Sequence, residues 1–268
     1  MFASPHSGRV YLKSFLESSQ LTPLQLRKSE DAFIDKLFTP APDHGAPLLR
    51  AHFPRAYVDA NREPFELDPA MFDGPLPAFV NTTSPRISAG LGTIPKVVSS
   101  GEDIYGDKIH FADARARIEA CHVPYHEALR GLIAVTRKRF GGCLLIDCHS
   151  MPSVGGPIDR DPGLKRVDMV LGDRHGLSAA PAVTNHVERI LKDLGFRTTR
   201  NNPYAGGFTT REYGRPKDGV HALQIEINRA IYMDENRIEP GEGMAALGQG
   251  VERLIAALAG MDPGLLKP

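Results

Sequence analysis

The chain is expected to fold as a single α/β domain over residues 1–268, with a mainly parallel mixed sheet covered by helices on both faces. Three observations predict this. Apolar strand-like runs alternate with amphipathic helical stretches, the pattern of strand–helix–strand connections. The run Leu144-Leu145-Ile146 is continuous rather than alternating, as in a strand buried on both sides. A chain of 268 residues with 41% hydrophobic content suffices for one large core and is short for two.

Taken in order, the first residues leave room before His6 for only the last few residues of a strand. "SEDAFIDKLF" predicts a helix with Ser29 as N-cap, acids in its first turn, and Phe33, Ile34, Leu37 and Phe38 at helical spacing. "PLLRAHF" and "AYVDANR" read as short strand pieces. From Asn61 to Ser100 the chain is rich in Pro, Gly, Thr and Ser, a long loop excursion of the kind that more often carries function than not. A helical region follows from about Asp113 to Phe140, interrupted near Pro124, with Ile118, Leu129, Leu132 and Ile133 on its apolar side. After "LLIDCH" come a Gly/Pro-rich loop over 150–164 and the strand "VDMVLGD". "APAVTNHVERILKDLG" is an amphipathic helix that Gly195 stops. "FRTTRN" and "VHALQIEINR" are strands either side of the loop "NPYAGGFTTREYGRP". A last helix carries Leu247, Val251, Leu254, Ile255 and Leu258 on one side.

Bulk composition removes several function classes. Thirty-two basic residues balance 32 acidic ones, which argues against nucleic acid or an acidic membrane surface as the main partner. No apolar run approaches bilayer length, and the N-terminus lacks the basic-then-apolar layout of a signal peptide. Cys121, Cys143 and Cys148 are odd in number and read as reduced packing thiols, so a cytoplasmic location is expected.

Four polar constellations lie at predicted strand ends or beside them. His6 sits in the tight turn "SPHSG". Asp31 and Asp35 are spaced i and i+4, so on a helix they face the same way; an exposed acidic face or a compensating cation would each account for them. Asp147 and His149 are two apart at the C-terminal end of an apolar strand and point to one side of it, the edge where open α/β sheets keep their ligands. Glu226 shares a face with Gln224 and Asn228 in a strand whose other face is Leu223, Ile225 and Ile227. That means solvent in an edge strand, and a polar cleft wall in a covered sheet.

Together these parts suggest a metal. Two histidines and one carboxylate form a common donor set for catalytic zinc, with one position left for water. Asp147 could then orient an imidazole, and Glu226 could take the proton of the attacking water. Nucleophilic readings are weaker: Ser150 lacks a G-x-S-x-G elbow, and Cys148 points away from Asp147 and His149. "GLGTIP" matches no dinucleotide fingerprint. Arg55 and Arg62 flank Asn61 next to the long loop, and arginine forks suit the carboxylates of a small acidic substrate.

"SPHSG", "FIDKLF", "RAYVDANR", "IDCHSMPS", "NNPYAGGFTTREYG" and "HALQIEINRAIYM" resemble, in order and over nearly the whole chain, the N-formylglutamate amidohydrolases (N-formylglutamate deformylases). That family is similar to the zinc carboxypeptidases and aspartoacylases. The resemblance implies their metal-bearing α/β sheet, a bound Zn2+, and hydrolysis of N-formyl-L-glutamate to formate and L-glutamate, the last step of one histidine-degradation route. It implies His6 and His149 as histidine ligands and Asp35 as the carboxylate ligand, with Asp31 the competitor. The carboxypeptidase pattern has a glutamate three residues after its first histidine, whereas this chain has Arg9. Asn61 and Arg62 would grip the substrate carboxylate, Arg55 would stabilise the oxyanion, and Glu226 would be the general base. Asn202, Tyr204, Gly206 and Gly207 would line the pocket. The alternatives are a zinc amidase for another N-acyl amino acid or small peptide, and a non-catalytic carboxylate-binding protein, which would need the arginines but neither Glu226 nor a metal.

Overall fold

The structure is a computed structural model that describes residues 1–156, 159 and 161–267. Of the loop expected over 150–164, residues 157, 158 and 160 lie outside the described residues. By contacts the chain forms two compact units, and neither is contiguous in sequence. One comprises Met1–Ser4, Phe33–Arg50 and Leu129–Pro268; the other comprises Pro5–Ala32 and Ala51–Ala128.

The first unit holds a six-stranded sheet: β1 (Phe2–Ser4), β2 (Leu48–Arg50), β3 (Cys143–Met151), β4 (Met169–Gly172), β5 (Thr198–Arg200) and β6 (Val220–Asn228), in the order β2-β1-β3-β6-β4-β5. Every neighbouring pair is parallel except β4 with β6, so the sheet is mainly parallel and mixed. Helices flank it, including Pro181–Asp193 and Met244–Ala259. The first of these buries Val183, Thr184, Val187 and Leu191, residues at i, i+4 and i+8 with one beside them, as its periodicity required. β3 and β6 are buried along all nine residues each, and their Val, Leu and Ile side chains form the middle of the core. The three residues before Pro5 form a strand because β2 and β3 receive them on both sides; Ala3 stands in register with Leu49 and with Asp147. Parallel pairing thus sets the C-terminal ends of β1, β3 and β6 along one edge of the sheet.

The second unit is built from short helices and loops around two apolar clusters. Val58, Leu67, Met71, Phe72, Val80, Ile94, Ala114 and Ile118 form one, so the Pro/Gly-rich excursion from Asn61 to Ser100 is packed around its own core. Phe15, Leu26, Ala56, Val98 and Ile104 form the other. Arg117 lies 4.7 Å from the Tyr57 ring centroid and donates to the Tyr105 hydroxyl at 2.6 Å, placing its flat cation against the aromatic edge of the cluster.

Two expected elements differ, and a third is interrupted where expected. "AYVDANR" is a series of turns, not a strand. The helix expected from Ser29 begins only at Ile34, because Phe33 adopts the left-handed conformation (φ 67°) and breaks the run; the Ser29 hydroxyl accepts instead from the Ser99 amide. The helix Phe111–Arg117 passes through a π-helical turn, Ile118–His122, into the helix Val123–Phe140. Pro124 has no N–H for the carbonyl four residues back, and the wider turn accommodates that loss.

Candidate functional site

On the sheet, β3 and β6 carry the polar groups. His149 Nε2 lies 2.9 Å from Asp147 Oδ2, and both side chains are buried. The β3–β6 register pairs Asp147 with Gln224 and His149 with Glu226, so four polar side chains stand together on one side of the sheet. Gln224 Nε2 donates to Glu226 Oε1 at 2.8 Å. β6 lies between β3 and β4 and Glu226 is only 8% exposed, which removes the edge-strand explanation. A polar stripe in the middle of a buried sheet needs partners, and here they bind one another. Cys148 faces the other way; burial first, and the Asp147 charge second, push its thiol well above the usual range, which suits a packing residue.

Tyr204 stands close to this stripe. Burial and then the negative charge of Glu226 raise its phenol, and the Arg166 guanidinium lies 5.1 Å from its ring centroid. Arg166 itself is held by Asp159 and Asp161, at 2.7 Å each. The other three loop residues expected to line a pocket have visible backbone roles. Asn202 is exposed and precedes a cis proline. Gly206 has φ 127°, and a Cβ there would lie 2.4 Å from Thr210 Oγ1. Gly207 is the N-cap of the helix Phe208–Tyr213.

In the second unit the centre is Asp59, buried and surrounded by cations. Its Oδ1 lies 2.7 Å from His6 Nε2 and accepts from the Asn61 amide at 2.8 Å. Its Oδ2 accepts from Arg55 Nε at 2.9 Å and lies 3.6 Å from Arg62 Nη2. Burial alone would push this carboxyl up, but Arg62, Arg55 and His6 together hold it well below the usual carboxylate range. Burial brings Arg62 down to about 9, with Asp59 working against the shift. Arg62 Nε and Nη1 donate to the carbonyls of Leu91 and Asn61, at 2.7 and 2.9 Å, so the guanidinium has a fixed orientation. The other ring nitrogen of His6, Nδ1, lies 3.3 Å from Asp31 Oδ2, and the Asp31 amide donates to the His6 carbonyl at 3.0 Å.

Among the described residues, His6 and Asp31 of the second unit and His149 of the first each offer one buried ligand atom that could hold a metal ion. Two imidazoles and a carboxylate are a donor set that zinc, among other divalent ions, accepts. At 3.3 Å the Nδ1–Oδ2 separation is long for a hydrogen bond. It agrees with two ligands about 2.0–2.2 Å from one tetrahedral ion, which stand roughly 3.4 Å apart. Each histidine also turns its Nε2 to a carboxylate, Asp59 for His6 and Asp147 for His149. That arrangement fixes the tautomer and would direct Nδ1 towards a bound ion.

The acid beside His6 in this group is Asp31, the competitor of the expected ligand Asp35. With the helix beginning at Ile34, the two acids no longer share a face. Asp35 lies in the first helical turn, 3.7 Å from Arg50 Nη1 of β2. Three residues escaped the sequence reading. Asp59 stood in the quoted "DANR" without a role, although an acid between Arg55 and Arg62 was a usable signal. His122 and His126, spaced i and i+4, are buried and donate from Nε2 to the carbonyls of Arg62 (2.9 Å) and Ala60 (2.8 Å).

A sequence profile of the family described as N-formylglutamate amidohydrolase matches residues 1–233. The chain is 30% identical over 241 residues to the N-formylglutamate deformylase of Pseudomonas aeruginosa, covering 88% of this chain and 82% of that one, and 27% identical over the same shares to that of Pseudomonas putida. Its fold is similar to the crystal structure of N-formylglutamate amidohydrolase from Ralstonia eutropha JMP134, with TM-score 0.88, 34% identity, and coverage of 97% and 92%. A gene product of Agrobacterium tumefaciens shares the fold at TM-score 0.68 and 20% identity, with coverage of 97% and 90%.

Proposed function

This chain belongs to the N-formylglutamate amidohydrolase family, and from that premise we propose that it hydrolyses N-formyl-L-glutamate to formate and L-glutamate with a bound zinc ion. The activities for which its relatives are named support the substrate. The observation that carries the chemistry is the donor set. Two imidazoles each have Nε2 held by a carboxylate, and they come with one acid, Asp31.

His6, Asp31 and His149 would hold the ion. When bound, it supplies Lewis-acid polarisation and brings the acidity of water towards neutral pH. Glu226, beside His149 in register and oriented by Gln224, takes a proton from the attacking water and delivers it to the departing amine of glutamate. Arg55, a quarter exposed and anchored on Asp59, offers positive charge to the acyl oxygen as it becomes an oxyanion. Asn61 and Arg62 receive the substrate carboxylate, Arg62 through the end of its fork not given to the Leu91 and Asn61 carbonyls. Tyr204, with Asn202, Gly206 and Gly207, forms a further part of the pocket wall. The partner implied is thus a small acidic N-acyl amino acid. Among the described residues no helix is long and apolar enough to cross a membrane.

The test is metal analysis of the purified protein together with formate release from N-formyl-L-glutamate, before and after chelation and zinc return. The expected result is one zinc per chain and turnover that is lost and restored with it. Zinc without formate would point to an amidase for another N-acyl amino acid. Neither zinc nor turnover would leave a carboxylate-binding protein.

A further inference from the structure

Residues 60–62 form a buried turn outside any strand or helix, so their carbonyls cannot look to a neighbouring strand for donors. All three accept from side chains: Ala60 from His126 Nε2 at 2.8 Å, Asn61 from Arg62 Nη1 at 2.9 Å, and Arg62 from His122 Nε2 at 2.9 Å. A carbonyl can only accept, so both imidazoles carry their proton on Nε2. The rings lie 4.2 Å apart, tilted by 36°, as neighbours one turn apart on a helix. His122 closes the π-helical turn Ile118–His122, a feature that recurs at functional sites.

We infer that His122 and His126 are positioning residues for substrate binding: their two Nε2–H donors hold the backbone on either side of Asn61 and so aim the Asn61 side chain and the Arg62 fork at the substrate carboxylate. The inference rests on the reading of Asn61 and Arg62 as the carboxylate clamp. Each donor bonds one carbonyl of the turn, at residues 60 and 62, and Asp59 fixes the same turn from its other edge by accepting from the Asn61 amide. With either imidazole donor gone, a buried carbonyl loses its partner and the turn must shift to find another. The arginine moves with it, and a charge-assisted hydrogen bond to a carboxylate tolerates little misalignment.

Steady-state kinetics with N-formyl-L-glutamate test this. His122→Phe and His126→Phe keep a ring and remove the donor; each should raise KM about tenfold while kcat changes little and zinc content stays constant. His122→Gln and His126→Gln, whose amide nitrogen reaches a similar position, should restore KM. In an Arg62→Ala background, adding His122→Phe should raise KM no further, because the two residues act through one contact. Wild-type KM in both Phe variants, or effects fully additive with Arg62→Ala, would overturn the inference. An unchanged KM in Arg62→Ala alone would instead sink the clamp reading on which it rests. Should the Phe variants not fold, His122→Asn, with its shorter donor, takes their place with the same expected rise in KM.

Discussion

Asp59 Oδ1 lies 2.7 Å from His6 Nε2, both groups buried, and the geometry mirrors that of Asp147 with His149 Nε2 at 2.9 Å. A carboxylate on Nε2 fixes the tautomer, raises the basicity of Nδ1 and stops the ring from turning. Asp59→Asn retains size and loses the charge, and its amide could turn a donor towards the imidazole. Zinc affinity should fall about 10- to 100-fold, as is usual when such outer partners are replaced. Competition against a chromophoric chelator would measure it, and an unchanged dissociation constant would count against the assignment. Asp147→Asn should act in the same direction on His149.

Asp31 and Asp35 can be separated by metal content. Asp31→Asn should lower zinc stoichiometry and turnover together, since it removes the only acid in the donor set. Asp35→Asn should keep one zinc per chain. Asp35 is buried while its partner Arg50 is 42% exposed on the side chain, so the expected effect is on stability, about 1–3 kcal/mol in a denaturant titration. The reverse pattern, with zinc lost in Asp35→Asn and kept in Asp31→Asn, would restore the acid expected from the sequence.

The sheet and its polar stripe were legible in the sequence because period and burial act locally. Alternation in "LQIEINR" put Gln224 and Glu226 on one face, and the apolar run before Asp147 declared a covered strand. The separation of Asp31 from Asp35 was not legible. It turns on one residue, Phe33, taking a left-handed conformation that aromatic side chains seldom adopt, and nothing in helical periodicity announces that. Asp59 and the two helix histidines were missed for a different reason. They bind across 53, 60 and 66 positions of sequence, and their partners include main-chain carbonyls that no side-chain pattern reveals.

Acid should weaken the fold through Asp168. Arg197 donates to it from the backbone at 2.8 Å and from the guanidinium at 2.7 Å, and these bonds hold its carboxyl below the usual range. A depressed folded value means that the stabilisation is complete above the unfolded value, about 4, and disappears as pH falls from there through the folded value. Melting temperature should therefore drop on acidification below that point. Asp168→Asn should start lower at neutral pH and show a shallower decline, and parallel curves for the two proteins would refute the assignment. Arg197 is 73% exposed on its side chain, so the effect is modest and shrinks in high salt.

Glu226→Gln tests the proton transfer itself. The side chain keeps its shape, and its amide oxygen can still accept the Gln224 donor that now reaches Oε1 at 2.8 Å. Because Glu226 is not in the donor set, zinc should stay bound and the fold should be unchanged. What disappears is the group that takes a proton from water and gives it to the amine, so kcat should fall about 10²- to 10⁴-fold with KM nearly constant. A Gln variant retaining most of its rate would mean that another group carries the proton. Loss of zinc in that variant would mean that Glu226 is a ligand, and the division of labour between β3 and β6 would have to be redrawn.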